Sequence, residues 1–158
     1  MYHEYAIRKI MLGGYHVLVQ YLKHYTITEL PNARNIVGDM IFFADSYFHL
    51  DEENQYRIHL VLSELIANGF VHGNHMLQGK KVYVWLKIIL PDTMKLLVVD
   101  EGNGFNLITR VKYLDNGSIC SSIDRILENG RGIQLVSSLC EQIRYNKKGN
   151  KVIVVITI

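Results

Sequence analysis

The sequence predicts an α+β sandwich: helices packed on one face of a mixed, mostly antiparallel sheet. Segments with helical spacing cluster early, between residues 31 and 73, and segments with strand character cluster late, from residue 82 onward. The late run Val82-Tyr83-Val84-Trp85-Leu86 is apolar on both faces, which suits a strand inside a covered sheet. At 158 residues, 49% hydrophobic and 20% charged, the chain is long enough to bury a core and too apolar to be disordered. One domain over residues 1–158 fits, with no repeat or linker dividing it.

Residues 1–22 carry the weakest pattern and exceed what such a core needs. Gly13-Gly14 breaks whatever precedes it. Three readings of this N-terminal extension stay open: an added strand, a dimer contact, or disorder. One or two strands fit residues 15–30, with 25–30 richest in β-formers. Pro31 suits a first helical turn, and Ile36, Val37, Met40, Ile41, Ala44, Tyr47 and Phe48 then recur at helical spacing.

Asp51 is a predicted N-cap, followed by Glu52 and Glu53 at the positive end of a second helix. Ile58, Val61, Leu62, Leu65 and Ile66 form its apolar stripe, and it should end near His72-Gly73. Strands are predicted at 82–89 and 94–100, joined by a Pro91-Asp92 turn. Residues 106–129 are polar and weakly periodic. A helix at 133–140 and a hairpin of 142–145 with 152–158, turning at Lys147-Lys148-Gly149-Asn150, close the chain.

The formal net charge of +2 points to no particular partner and argues against direct nucleic-acid binding. Cys120 and Cys140 lack metal-ligand spacing and form no disulfide framework, so a reducing cytoplasm is expected. The early apolar stretch at 15–22 is too short to span a bilayer, and no signal-peptide cleavage pattern follows it. A soluble protein with no membrane contact is the expectation.

Three motifs carry chemistry. In the first, Ser63-Glu64-Leu65-Ile66-Ala67-Asn68, Glu64 and Asn68 share one helix face. A carboxylate there can accept a proton, and a carboxamide oxygen is a hard ligand for Mg²⁺. Alone, the pair reads better as an exposed Glu and Asn on an amphipathic helix. In the second, Asp100-Glu101-Gly102-Asn103-Gly104-Phe105 follows a strand directly. Its glycines allow close backbone approach, and Asp100 can accept from an exocyclic amine such as that of adenine. Alone, it reads as a Gly-rich turn. In the third, Asn129-Gly130-Arg131-Gly132-Ile133 opens a helix whose N-terminal amides suit phosphate. A lone Arg131 would more often be a solvated surface residue.

Taken in order, Glu64-x-x-x-Asn68, Asp100-x-Gly102-x-Gly104 and Gly130-x-Gly132 resemble the N, G1 and G2 boxes of the GHKL (histidine-kinase-like) ATPases. The likeness spans roughly residues 30–158. It implies a Bergerat-type fold with ATP and Mg²⁺ between helices and sheet, under a lid at 106–129. The Rossmann fingerprint lacks its third glycine, and no Walker A pattern occurs.

Within that superfamily the first motif, with His72-Gly73, and the Gly-Arg-Gly of the third look most like the anti-sigma-factor serine/threonine kinases. Sensor histidine kinases usually carry Asn where Glu64 stands. The resemblance implies that Glu64 is the general base and Asn68 the Mg²⁺ ligand. It implies that Asp100 reads adenine, and that His72, Gly73, Gly102, Gly104 and Phe105 with Gly130, Arg131, Gly132 and Ile133 line the nucleotide. It further implies a homodimer, a sigma factor and a STAS-type anti-anti-sigma protein as partners, with Arg34 contacting a partner. A non-catalytic ATP/ADP-binding module and a stand-alone ATPase domain of the sensor-kinase type are the alternatives. Gly69 departs from the Ala usual after the Mg²⁺-ligating Asn, so the helix is expected to loosen or end there.

Overall fold

A computed structural model describes residues 2–12, 15–104 and 131–158, with the backbone alone for 2–12, 15–21 and 131. Among these residues, six strands form one sheet in the order β1-β2-β3-β4-β6-β5. The strands are β1 (Tyr2–Leu12), β2 (Tyr15–Ile27), β3 (Val82–Ile89), β4 (Thr93–Asp100), β5 (Gln142–Tyr145) and β6 (Lys151–Thr157). Every described pairing is antiparallel. Helices α1 (Ala33–Phe48), α2 (Glu52–Asn68) and α3 (Arg131–Ser138) complete the described elements.

Period-two burial shows which face the helices cover. On β3, Val82, Val84, Leu86 and Ile88 are buried, while Tyr83, Trp85, Lys87 and Ile89 between them are half-buried. Against the buried face lie Val37, Met40, Phe43 and Ala44 of α1 and all five stripe residues of α2. On the other face His24 stacks on Trp85, ring centroids 4.5 Å apart.

Local chemistry sets the helix ends. Pro31 lies in a 3₁₀ turn, Leu30–Asn32, that leads into α1, so the proline precedes the α-helix proper. Asp51 caps α2, its Oδ1 accepting from the Asn54 amide at 2.8 Å, which is worth about 1 kcal/mol. Lys23 and the Tyr25 hydroxyl both donate to Asp39 Oδ2, pinning α1 to β2. Burial pushes the Asp39 carboxyl up, but those two donors outweigh it and hold the group below its ordinary value.

Several elements differ from expectation at their ends. The strand placed at 25–30 begins at Tyr15 and stops at Ile27. The second helix does reach Gly73, but its α portion ends at Asn68 and a π-helical turn, Gly69–Gly73, continues it. That is where Gly69 was expected to loosen the helix, and π turns recur at functional sites. The helix expected at 133–140 lies at Arg131–Ser138. Residues 1–22 supply β1 and part of β2, so the extension adds to the sheet edge. The expected lid at 106–129 lies outside the described residues.

Candidate functional site

The three motifs meet at one end of the helix–sheet interface. Glu64 and Asn68 lie one turn apart on α2. The Glu64 carboxylate reaches the start of α3, where a Cβ on Gly132 would collide with Oε2. One turn on, the Asn68 amide nitrogen is buried and has no hydrogen-bond partner among the described residues. An orphaned buried amide calls for a partner. The two ends of a carboxamide are nearly isosteric, so a half-turn presents the oxygen instead.

The π turn then brings the chain back against the end of β4. A Cβ on Gly73 would overlap the Asp100 carboxylate, and one on Gly102 would overlap the Gly73 carbonyl. These two glycines therefore let helix and strand ends approach to backbone contact. Asp100 Oδ1 accepts from the Gly102 amide at 2.8 Å. Burial raises its carboxyl above the ordinary value, against the Gly102 amide and the charges of Lys148 and Lys80. A half-buried carboxylate with one oxygen engaged leaves the other to accept from an amine.

The β5–β6 hairpin braces this corner. Asn146 Oδ1 accepts from the amides of Gly149, Asn150 and Lys151 at 2.8, 3.1 and 3.2 Å. The Asn150 side chain donates to the Asp100 carbonyl at 3.2 Å, and the Asp100 amide donates to the Asn150 carbonyl at 3.1 Å. Gly104, at φ 75°, lies against the Lys148 carbonyl. Lys147 and Lys148 are exposed, as a hairpin tip predicts, yet this tip is part of the Asp100 corner.

Sequence reasoning missed three supports. Asn74 is fully buried and donates to the Lys81 carbonyl at 2.9 Å, fixing the exit from the π turn. Glu101 accepts from the Lys81 amide and the Tyr83 hydroxyl, both at 2.8 Å. These donors, the amide first, lower its carboxyl, and the same bond raises the Tyr83 phenol. Asn146 is the third, and its spacing to Gly149-Asn150 was a legible turn signal.

Of the predicted site residues, Glu64 and Gly132 stand together, as do Gly73, Asp100 and Gly102, and α2 with its π turn links the two groups. Asn68 lies between them in the chain. Gly104 lies on the hairpin side, His72 is exposed in the π turn, and Ile133 is half-buried in α3. Arg34 is exposed near the start of α1, apart from this cluster in the chain. Phe105 and Gly130 lie outside the described residues, and only the backbone of Arg131 is described.

An antiparallel sheet covered on one face by helices, with glycines packed closely where a helix end meets a strand end, defines an α+β sandwich domain. The family described as the histidine kinase-like ATPase domain matches residues 26–156, most of the chain. The chain belongs to that family, which supports ATP binding. No curated protein matches it as a relative. The residues fit Mg-ATP on two counts: Asn68 offers an unpartnered buried amide, and Asp100 has one carboxylate oxygen engaged by the Gly102 amide, which leaves the other to accept from an amine. No described helix is long and apolar enough to cross a membrane.

Proposed function

We propose that this domain is an anti-sigma factor and serine/threonine protein kinase, which binds Mg-ATP in the Glu64–Asp100 cleft and phosphorylates a STAS-type antagonist protein in a partner switch. The observation that carries the reading is the placement of Glu64. Its carboxylate lies at the N-terminal end of α3, one helical turn from Asn68 and at the other end of the cleft from Asp100. Adenine and phosphate therefore fall at opposite ends, with the candidate base at the phosphate end.

Bound Mg-ATP supplies the phosphoryl group and the cation that neutralises its oxygens. Asp100 accepts from the adenine amine and sets the register. Asn68 would hold the metal through its amide oxygen, and the amides opening α3 would hold the phosphates. Glu64 takes the proton from the incoming Ser or Thr hydroxyl as the new P–O bond forms and the bond to ADP breaks. Positioning of this kind is the protein's main contribution to phosphoryl transfer. Arg34, exposed and near the start of α1, is assigned to partner contact.

The test is incubation with labelled ATP and candidate STAS proteins. Wild type should label a Ser or Thr of the antagonist, and Glu64→Ala should abolish transfer while sparing ATP binding. Transfer that survives Glu64→Ala refutes the assignment of the base. A second reading, a non-catalytic ATP/ADP module that sequesters its partner, is favoured by one observation: α2 gives way to the π turn directly after Asn68. Robust Ser labelling removes it, and transfer to a partner His would instead indicate the sensor-kinase type.

A further inference from the structure

Six large apolar residues are exposed among the described ones, and three fall between positions 71 and 77: Val71, Met76 and Leu77, at 41%, 58% and 54% exposure. Phe42, Tyr56 and Ile153 lie singly on other elements, as scattered apolar residues ordinarily do. Val71 belongs to the π turn, and Met76 and Leu77 lie at its exit. The Met76 amide donates to the Phe70 carbonyl at 2.9 Å, so the chain folds back beside Val71. Both His75 and Met76 are left-handed, at φ 53° and 54°. Side chains disfavour that region, and glycine or asparagine is its ordinary occupant. Hydrogen bonds hold the conformation from both ends. Fully buried Asn74 donates its backbone amide to the Gly69 carbonyl at 2.8 Å and its carboxamide to the Lys81 carbonyl at 2.9 Å. The Leu77 amide donates to the Asn74 carbonyl at 3.1 Å, and the Lys80 amide to the Leu77 carbonyl at 3.3 Å. The result is a fixed knuckle that holds two apolar side chains out in water. A backbone outlier over-determined in this way points to use of the side chains it presents.

The surroundings of the knuckle are basic. Residues 69–81 contain no acid and end in Lys80-Lys81. Lys148, on the hairpin tip, acts with Lys80 on the same Asp100 carboxyl, which places both lysines around one corner. The carboxylates there already accept other donors, Asp100 from the Gly102 amide and Glu101 from the Lys81 amide and the Tyr83 hydroxyl. None of these three lysines forms an ion pair among the described residues. We propose that the Met76–Leu77 knuckle is a docking site for an acidic, amphipathic segment of another protein, which seats two apolar side chains on Met76 and Leu77 and turns its carboxylates to Lys80, Lys81 and Lys148. Methionine adapts to varied apolar partners, and a preformed surface loses little freedom on binding. Both anchors are aliphatic, whereas single-stranded nucleic acid is held by stacking rings and arginines. The knuckle begins just beyond Gly73, which packs on Asp100, so it flanks the Asp100 end of the cleft and not the Glu64 end. The docked segment is therefore separate from the acceptor residue. Docking there needs neither nucleotide nor phosphoryl transfer, so its failure and the failure of the proposed function are distinguishable.

Panning the immobilised full chain with displayed random peptides of about 12 residues tests this without nucleotide. Enriched peptides should be acidic and carry paired Leu, Ile, Phe or Trp. By fluorescence anisotropy, Met76→Ser/Leu77→Ser should weaken their binding about tenfold or more, as loss of an apolar anchor does. Lys80→Glu should weaken it about three- to tenfold, and wild-type affinity should fall with added salt. Tyr56→Ser, which removes a comparably exposed ring from α2, should leave binding unchanged. Met76→Gly separates docking from a purely structural role. Glycine suits the left-handed backbone, so the melting temperature should hold or rise while peptide binding falls. No enriched peptide, basic peptides, or acidic peptides that bind the double variant as well as wild type would overturn the proposal. So would a double variant that loses binding to phosphatidylserine vesicles, or to a single-stranded oligonucleotide of about 20 nucleotides, in place of peptide binding.

Discussion

Alanine at Gly73 would put its Cβ 2.5 and 2.6 Å from the two Asp100 carboxylate oxygens. No rotamer escapes this, because Cβ is fixed by the backbone. Either the carboxylate swings away and loses the Gly102 amide, or the π turn withdraws from β4. A hydrogen bond to a charged group is worth about 1.5–3 kcal/mol, and overpacking costs about 1–3 kcal/mol. Only one of the two is incurred, so Gly73→Ala should destabilise the fold by about 2 kcal/mol in urea denaturation. Under the proposed reading it also displaces the adenine acceptor, and nucleotide affinity should fall about 10- to 100-fold by calorimetry. Gly38 provides the control. It is exposed on α1 with nothing within 4 Å of a Cβ, so Gly38→Ala should stabilise by about 1 kcal/mol and leave nucleotide binding unchanged. A Gly73→Ala protein with wild-type midpoint and affinity would refute the close approach of π turn and Asp100.

Three other expectations follow from the same packing. Asp100→Asn should separate binding from stability. Burial raises the folded-state pKa, so ionisation of Asp100 opposes folding, and the stability its proton provides is lost as pH rises through that raised value. The variant, which does not ionise, should match or exceed wild-type stability at pH 7, lose that advantage below about pH 4, and bind nucleotide poorly. Asp39 has the opposite sign: its folded pKa is lowered, so its contribution is present above the ordinary value and lost as pH falls through the folded one. Asp39→Asn should cost about 1 kcal/mol at pH 7, discounted for partial exposure, and the gap to wild type should close in an acid denaturation series as pH falls through the lowered folded-state value. Gly69→Ala would bring a Cβ to 3.1 and 3.3 Å from the Val82 methyls, so a helix-propensity gain of about 1 kcal/mol is offset by overpacking. In a Val82→Ala background the same change should become stabilising, and equal effects in both backgrounds would contradict the contact.

The helical core and the order of the motifs were legible because each had a local cause. The stripe of Ile58, Val61, Leu62, Leu65 and Ile66 sets the buried face of α2, and Asp51 marks its start. The apolar run at 82–86 alternates between a buried and a half-buried face, which a run apolar on both faces cannot reveal by itself. The β1–β2 hairpin was illegible because its first strand has no clean alternation, and pairing over long separations decides its fate. The proximity of Glu64 to Gly132 and of Gly73 to Asp100 was implied only through the family resemblance; no periodicity encodes it. Asn74 was passed over because a buried asparagine at a turn has the composition of any loop, and half-buried Asn146 because its turn signal says nothing of the Asp100 corner it braces.

The central claim is that the end of α2 and the end of β4 share one adenine-nucleotide cleft. Isothermal titration of the full chain with ATP or ADP in the presence of Mg²⁺ tests it most directly. The account predicts saturable binding at one site per chain, weakened by Asp100→Asn and retained in Glu64→Ala. No heat with either nucleotide, or equal affinity in Asp100→Asn, would contradict it.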